Sequence, residues 1–117
     1  MTALTDHVSY ADAQRLCTSE RLWALFDGDR ARMNIAHECL DRHAASGRTA
    51  VIVLRADGSE AQHSFAELAE ASSRFAHWLR ARDVRAGDRV AVMLEPSLAF
   101  YAAMFGAMKA GAVAVPL

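Results

Sequence analysis

Few side chains in this sequence stand at spacings that could do chemistry. Five histidines raise the possibility of a metal site. His37 and His43, however, are separated by about 600° of helix at ~100° per residue and so face different ways. His63 and His77 fall in different expected elements, and all four read as partly exposed histidines near helix ends. Asp27 with Asp29, and Glu38 with Asp41, are candidate carboxylate pairs for acid–base work. Each stands among arginines, so solvated charge balance is the simpler expectation. Lys109 is a lone lysine in an apolar, alanine-rich stretch and could be a desolvated base. Close to a helix carboxyl end, it is expected instead to favour the macrodipole and reach out to water. Ser64 and Ser97 are accounted for as helix-opening residues, which leaves no nucleophile set. Gly106 and Gly111 have the first spacing of a phosphate loop, but Ala112 and Val113 stand where lysine and a hydroxyl residue would be needed. From these spacings no residue is assigned as catalytic, cofactor-binding or metal-ligating.

The elements that would have to position any site are clearer. Asn34 to His43 predicts a helix capped by Asn34, with Ile35, Cys39 and Leu40 as its apolar stripe and Gly47 as its stop. Ala50 to Leu54 and Glu60 to His63, separated by Asp57-Gly58, predict a β-hairpin whose reversal uses the positive φ angles that Asp-Gly supplies. Ser64-Phe65-Ala66-Glu67 is a capping box. Behind it Phe65, Leu68, Phe75 and Leu79 recur at helical spacing to about Arg82, with Ala69, Ala71 and Ala76 permitting close approach of another layer. Val90 to Leu94 predicts a strand covered on both faces. Pro96 and Ser97 open a helix from Leu98 to about Ala110, with Pro96 in its first turn and Gly111 at its end. Ala112 to Leu117 predicts a further strand. Strand, crossover helix and strand make a parallel βαβ unit. The turn inside it, Glu95-Pro96-Ser97-Leu98, lacks the glycines, and at Pro96 the amide, that a dinucleotide pyrophosphate requires.

Composition narrows the function classes. The 117 residues suffice for one domain of ordinary size. Twenty-five of the hydrophobic residues are alanine, so the side chains able to fill a core are few. A net charge of −1 gives no one-sign field, and nucleic acid is not an expected partner. Two distant cysteines, Cys17 and Cys39, indicate neither a disulfide framework nor a zinc site, which suits a reducing, cytoplasmic compartment. Met1 to Ser9 lacks the pattern of a secretion signal. Ser97 to Leu117 carries a single charge, Lys109, yet its alanine content and Gly111 predict a short helix plus a strand and no membrane span.

Three phrases then resemble the opening of the adenylate-forming superfamily: Ser64 to Leu68 at a helix start, Val84 to Val92, and Met108 to Leu117. That superfamily holds AMP-forming acyl-CoA synthetases, luciferases and the adenylation domains of peptide synthetases. Asn34-Ile35-Ala36 leading to Asp41-Arg42-His43-Ala44 is similar to the lead-in of the acetyl-CoA and medium-chain acyl-CoA synthetase branch. The resemblance spans about Met33 to Leu117. Asp83 departs from it, standing where the family usually has a helix-ending glycine, and so does Met33, where the branch usually has an aromatic residue.

The resemblance implies an α/β fold, part of the layered amino-terminal domain of an adenylate-forming enzyme. Residues 1–33 would form a peripheral arm and 34–117 the start of the AMP-binding domain, continued by polypeptide beyond Leu117. It implies an ATP-dependent acid–thiol ligase that uses Mg²⁺, a carboxylic acid and coenzyme A. The family's phosphate loop and catalytic residues would follow Leu117, so residues 34–117 are expected to be scaffold that binds no cofactor alone. The alternatives are an adenylation domain loading a carrier protein, against which Asn34 to His43 weighs, and a non-catalytic α/β module that binds a partner through its last strand.

Overall fold

In the computed structural model, which describes residues 4–117, the chain divides into two units, Met1–Met33 and Asn34–Leu117. The first holds a 3₁₀ turn at Leu4–Asp6 and two short helices, α1 (Tyr10–Leu16) and α2 (Ser19–Trp23). Ser9 and Thr18 cap them through side-chain oxygens that accept from the amides of Asp12 and Arg21. Neither helix buries a residue, and both are far shorter than a helix needs to stand alone. After α2 the Asp29 carboxylate accepts from the amides of Ala31 and Arg32, both at 2.8 Å, closing a turn over Asp29–Arg32.

The second unit opens at Asn34, whose side-chain oxygen accepts from the Ala36 amide at 2.9 Å. The helix so capped, α3 (Ile35–Cys39), is shorter than expected and passes into a 3₁₀ segment, Asp41–Ser46, that ends at left-handed Gly47. The expected stripe is corrected with it. Ile35 and Cys39 are exposed, whereas Ala36, Glu38 and Leu40 are buried. Leu40 leaves helical geometry at φ −131°, so the 100° periodicity behind the expectation does not extend past Cys39.

Strands β1 (Thr49–Leu54) and β2 (Glu60–Ser64) form the expected antiparallel hairpin, pairing Leu54 with Glu60 at the loop end and Thr49 with Ser64 at the other. The reversal takes five residues, and only Gly58 has a positive φ, +82°. The Arg55–Gly58 turn is closed by the Gly58 amide on the Arg55 carbonyl, and the Arg55 amide donates to the Ser59 carbonyl. Asp57 serves through its side chain, which accepts from the Ser59 amide. A turn followed by one left-handed residue explains why Asp57 keeps a negative φ.

Ser64 ends β2 and caps α4 (Phe65–Arg80) with the full capping box. The Glu67 amide donates to Ser64 Oγ at 3.2 Å and the Ser64 amide donates to Glu67 Oε2 at 2.7 Å. The far end closes as a Schellman motif, in which the Val84 amide reaches the Leu79 carbonyl and the Asp83 amide the Arg80 carbonyl. Asp83 takes the left-handed position at φ +59°, the only residue besides glycine with positive φ among those described.

Strands β3 (Arg89–Val92) and β4 (Val113–Pro116) pair in parallel, Arg89 opposite Val113 and Val92 opposite Pro116, with α5 (Leu98–Lys109) crossing between them. This is the predicted βαβ unit, with three changes. Strand β3 ends at Val92, and Met93 and Leu94 are exposed. Pro96 precedes the cap and is not in the first turn, because Ser97 is itself the cap, its Oγ accepting from the Phe100 amide at 3.2 Å. The strand pair is covered on one face only: Val90 and Ala114 pack against Leu79 and Ala107, while Arg89, Ala91 and Val113 are exposed. Burial on both faces would need a layer that residues 34–117 do not supply. Gly111, at φ +80°, ends α5 in a second Schellman motif, with the Ala112 amide on the Ala107 carbonyl.

The helices α4 and α5 form the centre of the unit. One apolar cluster joins Leu40, Leu68 and Ala102; another joins Leu79, Ala107 and Ala112. Between them the helix backbones approach so closely that a Cβ on Gly106 would lie 2.7 Å from the Ser72 carbonyl oxygen. Ser72, Ala76, Ala103 and Ala107 line the contact and are all buried. Small residues at this crossing therefore set the helix separation, which gives much of the alanine content a structural role.

Three outcomes follow. An exposed helical glycine gains about 1 kcal/mol on replacement by alanine. Gly106→Ala should instead lose about 1–3 kcal/mol, as overpacking does, measured as a lower urea midpoint. Asp83→Gly should raise the same midpoint, a stabilisation of about 1 kcal/mol that matches the strain of a side chain at a left-handed position. The third concerns acid. The amide and then the hydroxyl of Ser64 hold the Glu67 carboxyl below its ordinary pKa, with a smaller contribution from His63. A depressed carboxyl adds stability that is complete above its unfolded pKa and is lost as the pH falls through the lowered folded value. Glu67→Gln should flatten that acid limb of a thermal-melt series and leave the neutral limb parallel to the parent.

Candidate functional site

In a parallel βαβ arrangement the place for chemistry is the crevice beyond the carboxyl ends of the strands. Here that place is the Met93–Ser97 turn, and with the hairpin it bounds a cleft of about 1040 Å³. Ile52, Leu54 and Leu94 supply apolar wall, and His63, Glu95 and Tyr101 supply polar groups. The turn does not fit the nucleotide phosphates that the resemblance implies. Glu95 is an exposed carboxylate, Pro96 has no amide to donate, and Ser97 already engages the Phe100 amide at the start of α5. Among the described residues no three metal-ligating side chains come together.

The histidines fall on separate segments of the chain. His37 and His77 are exposed on α3 and α4, His63 lies in β2, and His43 packs on the Phe65 ring at 5.4 Å between centroids. The two cysteines are exposed free thiols. Ser64 and Ser97 are spent on their caps, as expected.

Two sequence expectations are overturned, both about charge. Glu38 is not solvated. Its side chain is 3% exposed, and it accepts from Arg42 Nη1 at 2.7 Å, one helical turn on. Lys109 does not reach for water. With its side chain 11% exposed, its ammonium meets Asp41 Oδ1 at 2.5 Å and donates to the Ala69 carbonyl and Ser73 Oγ, each at 3.0 Å. Three donors thus meet three acceptors from two other segments. A lysine partnered in this way ties α5 to α4 and to the Asp41–Ser46 segment.

The tie sits at the convergence of three segments. Asn34 Nδ2 donates to the Met108 carbonyl at 3.0 Å and Arg80 Nη2 to the Lys109 carbonyl at 2.7 Å. The last carbonyls of α5, which have no partner within the helix, are in this way capped from α3's lead-in and from α4. Ser72 and Ser73 both back-bond to the Ala69 carbonyl that also receives Lys109. The signal available in the sequence was that Lys109 is the single lysine among thirteen basic residues. Its partners, 36 to 68 residues away, were not.

Lys109→Met should lower stability by about 2 kcal/mol by denaturant melt. This is below the range for a fully buried pair, because Asp41 is about one-third exposed. Adding Asp41→Asn should cost less than the sum of the single changes, with a coupling of about 1–2 kcal/mol in the double-mutant cycle. Strict additivity would show that the two side chains do not interact.

No helix among the described residues is long and apolar enough to cross a membrane; α5 and β4 occupy the stretch whose hydropathy raised that question. The family model described as AMP-binding enzyme matches residues 40–117. The acetyl-coenzyme A synthetase of Burkholderia thailandensis is 38% identical over 87 residues, which is 72% of this chain and 13% of the relative. The crystal structure of an acyl-CoA synthetase from Brucella canis superposes with a TM-score of 0.80 at 27% identity, over 90% of this chain and 20% of that one. A fatty acyl CoA synthetase from Mycobacterium tuberculosis superposes with a TM-score of 0.55 at 28% identity, over 70% of this chain and 16% of that one. The chain therefore spans only a small part of the length of the relatives it matches.

Proposed function

The chain belongs to the AMP-binding enzyme family, and from that premise we propose that it is scaffold from the amino-terminal part of an AMP-forming acyl-CoA synthetase. The observation that carries the reading is a coincidence of boundaries. The residues matched by the family are those that build the hairpin, the α4–α5 pair and the parallel βαβ unit. The enzyme would activate a carboxylic acid with ATP and Mg²⁺ to an acyl-adenylate, release pyrophosphate, and pass the acyl group to the thiol of coenzyme A. Charge neutralisation and positioning dominate such a reaction.

The part played by residues 34–117 is mechanical. Ser64 and Ser97 are engaged in caps and Asn34, Arg80 and Lys109 in ties, and the Glu95-Pro96-Ser97 turn is unsuited to phosphate. What this segment contributes is a rigid strand pair whose carboxyl ends are held at a set height by α5. The nucleotide, the acid and coenzyme A would be bound by polypeptide that longer relatives carry. The similarity of Asn34–Ser46 to the acyl-CoA branch, and the acetyl-coenzyme A synthetase among the relatives, support coenzyme A over a carrier protein as acyl acceptor. Free, exposed Cys17 and Cys39 suit a reducing cytoplasm.

Acid-dependent exchange of pyrophosphate into ATP is the direct test. The 117-residue chain should give none, while a protein carrying this segment together with the remaining length of its relatives should exchange on addition of acetate or a longer acid. Exchange by the 117 residues alone would overturn the scaffold reading, and failure of the long protein with every acid tried would overturn the ligase reading.

A further inference from the structure

We draw no further inference here: the strongest candidate, the open trough between the β1–β2 hairpin and the β3–α5 turn with its exposed Ile52, Leu54 and Leu94, carries nothing because nothing in the structure shows what covers it.

Discussion

The separation of α4 and α5 is the constraint on which the rest of the second unit depends. Gly106 has no room for a Cβ against the Ser72 carbonyl, and Ala76, Ala103 and Ala107 keep the crossing narrow along its length. From that distance the other contacts follow. Leu68 and Ala102 close on Leu40 at one end, and Leu79 and Ala107 close on Val90 and Ala114 at the other. A wider crossing would move Lys109 out of reach of the Ala69 carbonyl and Ser73 Oγ, and would lift α5 from the strands it connects. Small residues and close backbones yield dispersion contact in place of large buried side chains, which is how a chain poor in bulky apolar residues can still pack.

Polar groups at this centre serve packing. The ammonium of Lys109, the amide of Asn34 and the guanidinium of Arg80 each answer a carbonyl or carboxylate that the helices leave over. No buried side-chain nitrogen or oxygen among the described residues lacks a partner. Full satisfaction fixes geometry at the cost of reactivity, since a group committed to three hydrogen bonds is unavailable to a substrate.

The open surfaces have the complementary property. Met93, Leu94 and Val113 near the strand pair, and Ile52 and Leu54 on the hairpin, are large and exposed, while the opposite face of the strand pair is covered. Both two-stranded sheets also have unpaired edges.

Local signals were legible in the sequence wherever the determining contacts lie within a few residues. Asn34, Ser64 and Ser97 cap the helices they announce, Gly47, Gly58 and Gly111 take positive φ where a chain reversal needs it, and the apolar runs pair as a hairpin and as a βαβ unit. The tertiary structure alone decided which face of Asn34–Ser46 is buried, that Glu38 and Lys109 are inside, and that one face of the strand pair stays open. Capping and turn chemistry are set by the residue and its immediate neighbours, so sequence suffices for them. Burial of a charge depends on what packs over it, and for Lys109 the partners, Asp41 and Ser73, meet it only after two helices have packed at the distance that Gly106 allows.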